Sequence, residues 1–465
     1  MPGFHVEHFG CRAARADGEA LGGRLRAAGH NASKAAEADL IVVNTCSVTA
    51  EADRAARAYI RRAHRTNPAA RIIVTGCYAQ RAPEELAGLD GVAAVVGNSH
   101  KALAPKIAIQ LAAEPENAAR QAGFVPTQAL LAGEAPVWVD DRFAHSFMEE
   151  APFASDRQTR PNLKIQEGCG NRCTFCVIPQ TRGPSRSLAR ATILRNVQDF
   201  VFTGGNELVL SGINLGRWGR DLPAEAGARH LTLAALVQEI LETTALPRLR
   251  LSSIEPMDWD ASLIALMREL GGTRLARHAH LPLQSGSDAV LRRMHRRYRP
   301  WHYAEKIAAL IDAAGPDLTL GADVMAGFPG ETDAEYEETL AFIRALPFGY
   351  LHIFSFSPRP ATPGWQLHAA APVPPQAVDA RISALRALAA EKTREHRRQF
   401  LGRTLDAITL HTPDALAAQG RTAALTENFL PVELEGGLPA NRLIRVRAGG
   451  FTSNEFLFCT IQNAA

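Results

Sequence analysis

Three cysteines, Cys169, Cys173 and Cys176, stand in a C-x3-C-x2-C spacing within the stretch Gly168-Cys169-Gly170-Asn171-Arg172-Cys173-Thr174-Phe175-Cys176. Thiolates this close wrap a loop around one metal centre and leave a coordination position without a protein ligand. A structural zinc takes four protein ligands, and a simple electron-transfer iron–sulfur cluster commonly takes four cysteines. A compact set of three therefore points to a cluster with one iron open to another molecule. The alternatives at this level are a zinc loop completed by a distant histidine, or three unrelated cysteines.

A second set, Cys11, Cys46 and Cys77, is spread over the first eighty residues, and each member follows a strand-like run. Phe4 to Phe9 leads to Gly10-Cys11, Leu40-Ile41-Val42-Val43 to Asn44-Thr45-Cys46, and Ile72-Ile73-Val74 to Thr75-Gly76-Cys77. The last two runs are short, aliphatic and rich in β-branched residues, as strands buried on both faces of a parallel sheet must be. Helical patterns over 17–28 and 51–66 lie between them, the second closed by Asn67-Pro68. This alternation predicts an open α/β domain with each cysteine just past the carboxyl end of its strand, the edge where such sheets bind ligands. Three cysteines buried independently are the alternative. Cys459, in the apolar segment Glu455 to Cys459, is read as a packed strand residue.

Further along, 89–98 reads as another strand, 99 to about 125 as helix and then loop, and 131–160 as a linker with an edge strand at Val137-Trp138-Val139. From 161 to 375 strands and helices alternate again. Strands are expected at 163–166, 207–210, 249–251, 279–283, 318–325 and 350–355, and helices at 231–244, 260–270, 287–297, 301–314 and 333–345. Strand, polar loop and helix in repetition imply a (β/α) barrel or part of one, with chemistry on the loops after the strands. A long amphipathic helix over 378–401 follows, then short strand-like runs from 402 to 465 that fit a small β-barrel. The organisation is thus 1–130, a linker at 131–160, 161–375, a connecting helix at 376–401, and 402–465.

The chain has 465 residues, 51 Lys and Arg against 48 Asp and Glu, and seven cysteines. No apolar run reaches the roughly 20 residues that span a bilayer. Met1 to Val6 enters a strand without a basic region and apolar signal core, so a cytoplasmic protein with no membrane partner is expected. An odd cysteine count there argues against a disulfide framework. A formal charge of +3 is too small to identify a polyanionic partner. Local charge is more informative. Arg172, Arg182, Arg186 and Arg190 surround the cysteine loop, and Arg292, Arg293, Arg296, Arg297 and Arg299 interleave with His295, Tyr298 and Trp301. Guanidinium groups beside stackable rings suit phosphates and unstacked bases, with a solvated surface as the alternative. From Arg403 onward five basic residues face six acidic ones, so no basic platform is evident there.

A C-x3-C-x2-C loop after a first barrel strand resembles the radical S-adenosylmethionine (SAM) enzymes, in which three thiolates hold a [4Fe–4S] cluster and SAM chelates the open iron. Asn44-Thr45-Cys46, Thr75-Gly76-Cys77-Tyr78-Ala79-Gln80, Cys169 to Arg186, Ser253-Ile254-Glu255-Pro256, His280 to Gly286 and Gly321 to Thr332 occur in the order seen in methylthiotransferases. That resemblance covers nearly the whole chain. It implies a three-cysteine N-terminal α/β domain, a central radical SAM partial barrel and a C-terminal TRAM-like β-barrel, with Leu425 to Phe429 as the TRAM turn. It also implies a second, auxiliary [4Fe–4S] cluster on Cys11, Cys46 and Cys77, whose open iron carries the sulfur to be transferred.

The same resemblance assigns Phe175, Glu207 (in Gly204-Gly205-Asn206-Glu207) and Ser253 to SAM. Together with the local charge, it offers Arg182, Arg186, Arg296 and Arg297 as tRNA contacts. It requires an electron donor such as flavodoxin or ferredoxin, and a sulfur donor; it fixes no oligomeric state. The family usually has Asn three residues after the first cysteine, where this chain has Ala14. The subgroup most resembled places a methylthio group on carbon 2 of N6-threonylcarbamoyladenosine beside the anticodon. Isopentenyladenosine and ribosomal-protein aspartate methylthiotransferases are the alternatives within the family. An RNA-binding protein with structural or redox-sensing metal clusters is the alternative outside it.

Overall fold

The computed structural model describes residues 2–113, 135–143, 159–223 and 231–462. These fall into two compact units. The first comprises Met1–Ala154 with Gln166–Arg186 and Ser357–Trp365; the second comprises Ser155–Ile165, Ser187–Phe356 and Gln366–Ala465. The cysteine loop that follows the first barrel strand in sequence therefore counts with the N-terminal sheet. Positions 131–134 and 144–158 of the expected linker lie outside the described residues, as does the expected helix and loop beyond 113.

In the first unit a six-stranded sheet is built from β1 (Gly3–His8), β2 (Asn31–Ala32), β3 (Leu40–Thr45), β4 (Arg71–Gly76), β5 (Val92–Gly97) and β6 (Val137–Trp138). Their order is β2-β1-β3-β4-β5-β6, all parallel, and β6 is the edge strand expected inside the linker. Alternation along the strands divides the core. Ile41, Val43, Ile72, Val74 and Val95 pack with Ala56 and Ile60 of helix Ala50–Thr66. Leu40, Val42, Ile73, Ala94 and Val96 pack with Leu21 and Leu25 of helix Arg12–Ala27 and with Ile107 and Leu111 of helix Ala104–Ala113. Both faces are covered, so β3 is buried at every position and reads as an unbroken apolar run before its polar end. Helix Ala50–Thr66 starts where the Thr49 side chain accepts from the Ala52 amide, with Glu51 and Asp53 in its first turn and His64 and Arg65 in its last. The chain runs from β1 outward to β2 and from β3 outward to β4 in the opposite direction. The topological switch point thus lies between β1 and β3, the place where open α/β sheets hold ligands.

Two further sheets and a barrel lie in the second unit, save for Gln166 and Glu167 at the end of one strand and Arg186 at the start of another, which count with the first. β7 (Asn162–Glu167), β8 (Arg186–Ser187), β9 (Glu207–Gly212) and β10 (Arg248–Leu251) are ordered β10-β9-β7-β8. β11 (His278–His280), β12 (Thr319–Ala326) and β13 (Phe348–Ser355) form a parallel three-stranded sheet. Single bridges Leu249↔Leu275 and Ser253↔His280 join the two, which makes the partial barrel expected from the alternation. After helix Pro375–Arg398 come β14 (Thr404–Thr409), β15 (Arg421–Thr426), β16 (Pro431–Glu435), β17 (Leu443–Phe451) and β18 (Leu457–Gln462), closed in the order β14-β15-β16-β18-β17. Cys459 is fully buried in that barrel's core, as its apolar setting indicated. Helix Arg190–Phe202 and strand β15 are elements that sequence reading did not separate.

The loop after β15 is one of the places where the two barrels meet. Arg277 grips Glu427 through Nε (2.8 Å), Nη2 (2.6 Å) and its backbone amide (3.0 Å). Arg250 donates to the Thr426 carbonyl (3.2 Å) and lies over the Phe429 ring. The ring of Phe429 lies tilted against His278, with centres 4.2 Å apart, and 5.5 Å from Tyr350. His278 opens β11 and Arg250 lies on β10, so Phe429 closes the amino-terminal side of the strands. The TRAM-like turn acts as a plug.

Candidate metal centres

The first unit holds both cysteine triads. Cys11 is the N-cap of helix Arg12–Ala27, Cys46 directly follows β3, and Cys77 follows β4 and opens helix Cys77–Arg81. Cys11 and Cys46 therefore flank the switch point, with Cys77 on the next strand along. Cys46 and Cys77 are buried and Cys11 is exposed. Gly10 leaves no room for a side chain: at φ +104°, a Cβ there would stand 2.6 Å from Cys46 Sγ. Burial, with Cys77 and Cys11 nearby, pushes the Cys46 thiol up to about 12. The three thiols thus share one environment. A metal binding there must displace their protons.

Two side chains near this triad carry donors. Asn98 Nδ2 donates to Cys77 Sγ (3.5 Å) and to the Thr181 carbonyl (2.8 Å). Arg182, fully buried, uses Nη1 for both Asp17 (3.1 Å) and Glu167, while Lys101 also pairs with Asp17. Burial alone would lower the Arg182 guanidinium, but Cys77, Glu167, Asp17 and Cys11 outweigh it and hold it protonated. Its Nε and Nη2 are buried without an acceptor. Unfilled donors beside three thiols suit an anionic, sulfur-rich group, and an iron–sulfur cluster is one. Ala14 is buried, and the Asn44 side-chain amide from the end of β3 donates to its carbonyl.

The second triad lies on a preformed loop. Gln166 Nε2 staples it by donating to the carbonyls of Glu167 (2.9 Å) and Gly168 (2.8 Å) and to Ser185 Oγ (2.9 Å). Gly168 has φ +70°, and a Cβ there would meet the Pro184 carbonyl at 2.0 Å. The Cys169 amide donates to Gly183 (3.1 Å), the Asn171 amide to Cys169 Sγ (3.4 Å), and the Cys176 amide to Cys173 (3.1 Å). The segment Ser357–Trp365 straps the loop: the Gly364 amide donates to Thr174 (2.7 Å) and Gln180 Nε2 to Ala361 (2.7 Å). The strap also reaches the first triad's neighbourhood. Ala50 donates to Ser357 Oγ (3.0 Å), and Arg359 pairs with Asp53 (2.7 Å), which also holds Arg81 (2.9 Å). Cys169, Cys173 and Cys176 are half-buried, as is Phe175, so the sulfurs are accessible to a cluster.

Three expectations need correction. Arg182 is no RNA contact; it is sealed inside the first unit among carboxylates and cysteines. Arg296 is also buried, bound to Glu255 and to the hydroxyl of Tyr298, because the run around it folds inward. Glu207 begins β9 at the sheet's amino end and is fully buried, with Arg250 Nε at 2.8 Å, Arg160 Nη1 at 3.1 Å and Arg248 Nη1 at 3.4 Å. Those three cations occupy the carboxylate that was assigned to a SAM amine. Arg186 is half-buried, donates to the Arg182 carbonyl (2.9 Å) and lies over Phe143. Arg297 is exposed, and Ser253 is half-buried just past β10.

The second unit holds a polar cluster that was not anticipated. On β12, Leu320, Ala322, Val324 and Ala326 share one buried face, and Gly321, Asp323 and Met325 share the other. Asp323 accepts from His280 Nε2 and His352 Nδ1, both at 3.1 Å, and Tyr350 Oη bonds His280 Nδ1 (3.0 Å) and His278 Nε2 (2.8 Å). Burial would raise the Asp323 carboxyl, but the two histidines hold it well below the usual range. The cluster lies above the Phe429 plug. Its sequence signal was the alternation His278-Ala279-His280 and Tyr350-Leu351-His352.

Comparison with known proteins agrees with this geometry. Residues 3–97 match the family described as "Uncharacterized protein family UPF0004", and residues 163–343 match the radical SAM superfamily. Threonylcarbamoyladenosine tRNA methylthiotransferase MtaB of Aquifex aeolicus is 32% identical over 441 residues, covering 95% of this chain and 98% of that protein. The tRNA-2-methylthio-N(6)-dimethylallyladenosine synthase of Acidothermus cellulolyticus is 31% identical over 468 residues, covering 99% and 86%. Among solved structures, the radical SAM methyltransferase TsrM of Kitasatospora setae, with tryptophan and a SAM analogue bound, superposes with a TM-score of 0.53. It is 15% identical and covers 76% of this chain and 72% of that one, a likeness of fold.

Proposed function

The chain belongs to the radical SAM methylthiotransferase family, and on that premise we propose that it inserts a methylthio group at carbon 2 of N6-threonylcarbamoyladenosine beside the tRNA anticodon. The observation that carries this reading is the presence of two cysteine triads in one compact unit, linked through Asn98 and the Ile178–Arg182 helix. Cys169, Cys173 and Cys176 hold a [4Fe–4S] cluster, and Cys11, Cys46 and Cys77 hold another. Bound there, these groups supply reductive cleavage of SAM at the first and a transferable sulfur at the second.

The chain's own residues supply the rest. Gln166, Gly168 and the Ser357–Trp365 strap fix the radical-generating loop, and Phe175 and Ser253 are the contacts proposed for SAM. Arg186 and Arg297, with the half-exposed Trp301, are proposed for the tRNA backbone and bases. An electron donor of the flavodoxin or ferredoxin type and a separate sulfur donor complete the reaction. The proposal includes the division 1–130, 131–160, 161–375, 376–401 and 402–465, and a cytoplasmic site of action. No helix among the described residues is long and apolar enough to cross a membrane.

A second reading, dimethylallyladenosine as substrate, is favoured by the similar identity of that synthase. Anaerobic reconstitution, SAM, a reductant and anticodon stem-loops bearing either modification separate the two. Mass spectrometry should find the methylthio product on the threonylcarbamoyl stem-loop. Cys173→Ala should abolish SAM cleavage, and Cys46→Ala should spare it while stopping sulfur insertion. Product only on the dimethylallyl stem-loop overturns the substrate, and loss of SAM cleavage in both variants overturns the separate roles.

A further inference from the structure

We propose that Arg182 and Asn98 are positioning residues that raise the reduction potential of the auxiliary cluster on Cys11, Cys46 and Cys77 by donating hydrogen bonds to its sulfurs. This rests on reading that triad as a cluster site. A guanidinium has five N–H groups in a fixed fork. Here Nη1 alone serves both carboxylates, Asp17 and Glu167, which leaves the Nε and Nη2 edge buried and without acceptors. Cys77 and Cys11 lie near enough to act on the Arg182 charge, and Arg182 in turn acts on Cys46. Asp17 is shared with Lys101, and the Nε and Nη2 edge of Arg182 stays an open pair of donors.

Asn98 completes the arrangement. One amide nitrogen reaches both Cys77 Sγ (3.5 Å) and the carbonyl of Thr181 (2.8 Å), the residue before Arg182. The short helix Ile178–Arg182 begins two residues beyond Cys176. It is therefore tied to Cys77 through Asn98 and to Asp17 through Arg182. Hydrogen bonds to cluster sulfurs and nearby positive charge favour the reduced, more negative state, so losing them lowers the potential.

The test uses the full chain carrying Cys173→Ala, so that the auxiliary cluster alone contributes to the spectrum. Iron is counted, and the midpoint is measured by anaerobic titration followed by electron paramagnetic resonance. Asn98→Ala and Arg182→Lys, the latter keeping the charge but losing the fork, should retain iron. Each should disfavour reduction about tenfold, or about 59 mV for one electron. Asn98→Ala removes no charge, so it stands as the test if Arg182→Lys does not fold. Iron retained with midpoints unmoved overturns this proposal alone. A Cys173→Ala parent that binds no iron overturns the cluster reading and this proposal with it.

Discussion

Glu207 gives the sharpest test of the fold argument, because its sequence context suggested a ligand and its structure makes it a brace. Burial pushes its carboxyl up, and Arg250, Arg160 and Arg248 pull it down further, to about 2 from an ordinary 4.5. That difference corresponds to about 3 kcal/mol of stability at neutral pH. The folded-state value is depressed, so the contribution is complete above pH 4.5 and is lost as the pH falls from there towards 2. Glu207→Gln keeps the shape but leaves the fully buried Arg250 without its counter-charge, at a cost of about 3–5 kcal/mol. Trp218 and Trp259 are buried in the same unit and report its unfolding in urea by fluorescence. With a slope of about 3 kcal/mol per molar, the midpoint should fall by on the order of 1 M. The wild type should lose stability between pH 4.5 and 2 by an amount the variant does not. Equilibrium dialysis of the folded variant should show SAM binding intact. An unmoved midpoint, or a folded variant that no longer binds SAM, would refute the reasoning.

Two further outcomes follow from backbone and packing. Gly168→Ala should cut the iron bound at the Cys169 loop to near zero while the auxiliary iron stays, because no Cβ fits 2.0 Å from the Pro184 carbonyl; iron analysis of each cysteine-variant background checks this. Phe429→Ala should lower the thermal midpoint by an amount equivalent to roughly 2 kcal/mol, through lost ring contact with His278 and lost contact with Arg250. A melt that superposes on the wild type would remove the plug from the account.

What could be read in advance followed physical rules that act locally. Leu40 to Val43 and Ile72 to Val74 read as two-sided strands because both faces are buried, and from that Cys11, Cys46 and Cys77 fell at one sheet edge. The spacing of Cys169, Cys173 and Cys176 needed no fold at all. Charge was where the reading failed. An arginine in a polar run looks the same whether it faces water or a buried carboxylate, and only the distant partners of Arg182 and Arg296, namely Asp17, Glu167 and Glu255, decide which. The resemblance of Gly204-Gly205-Asn206-Glu207 to a SAM-binding segment says nothing of side: the stretch precedes β9 and places Glu207 at the opposite end from a ligand edge. The cluster of His278, His280, Asp323, Tyr350 and His352 is assembled from three strands, so no window of sequence contains it. β15 escaped notice because its alanines and threonines carry little apolar signal.

The central claim is that both triads serve one modification of one tRNA base. Mass spectrometry of total tRNA nucleosides from cells lacking this gene, with and without a plasmid copy, tests it most directly. Loss of the methylthio-threonylcarbamoyl nucleoside, with accumulation of its unthiolated form and restoration by the wild-type gene but by neither Cys46→Ala nor Cys173→Ala, is the result expected. Unchanged levels of that nucleoside in the deletion strain would contradict it.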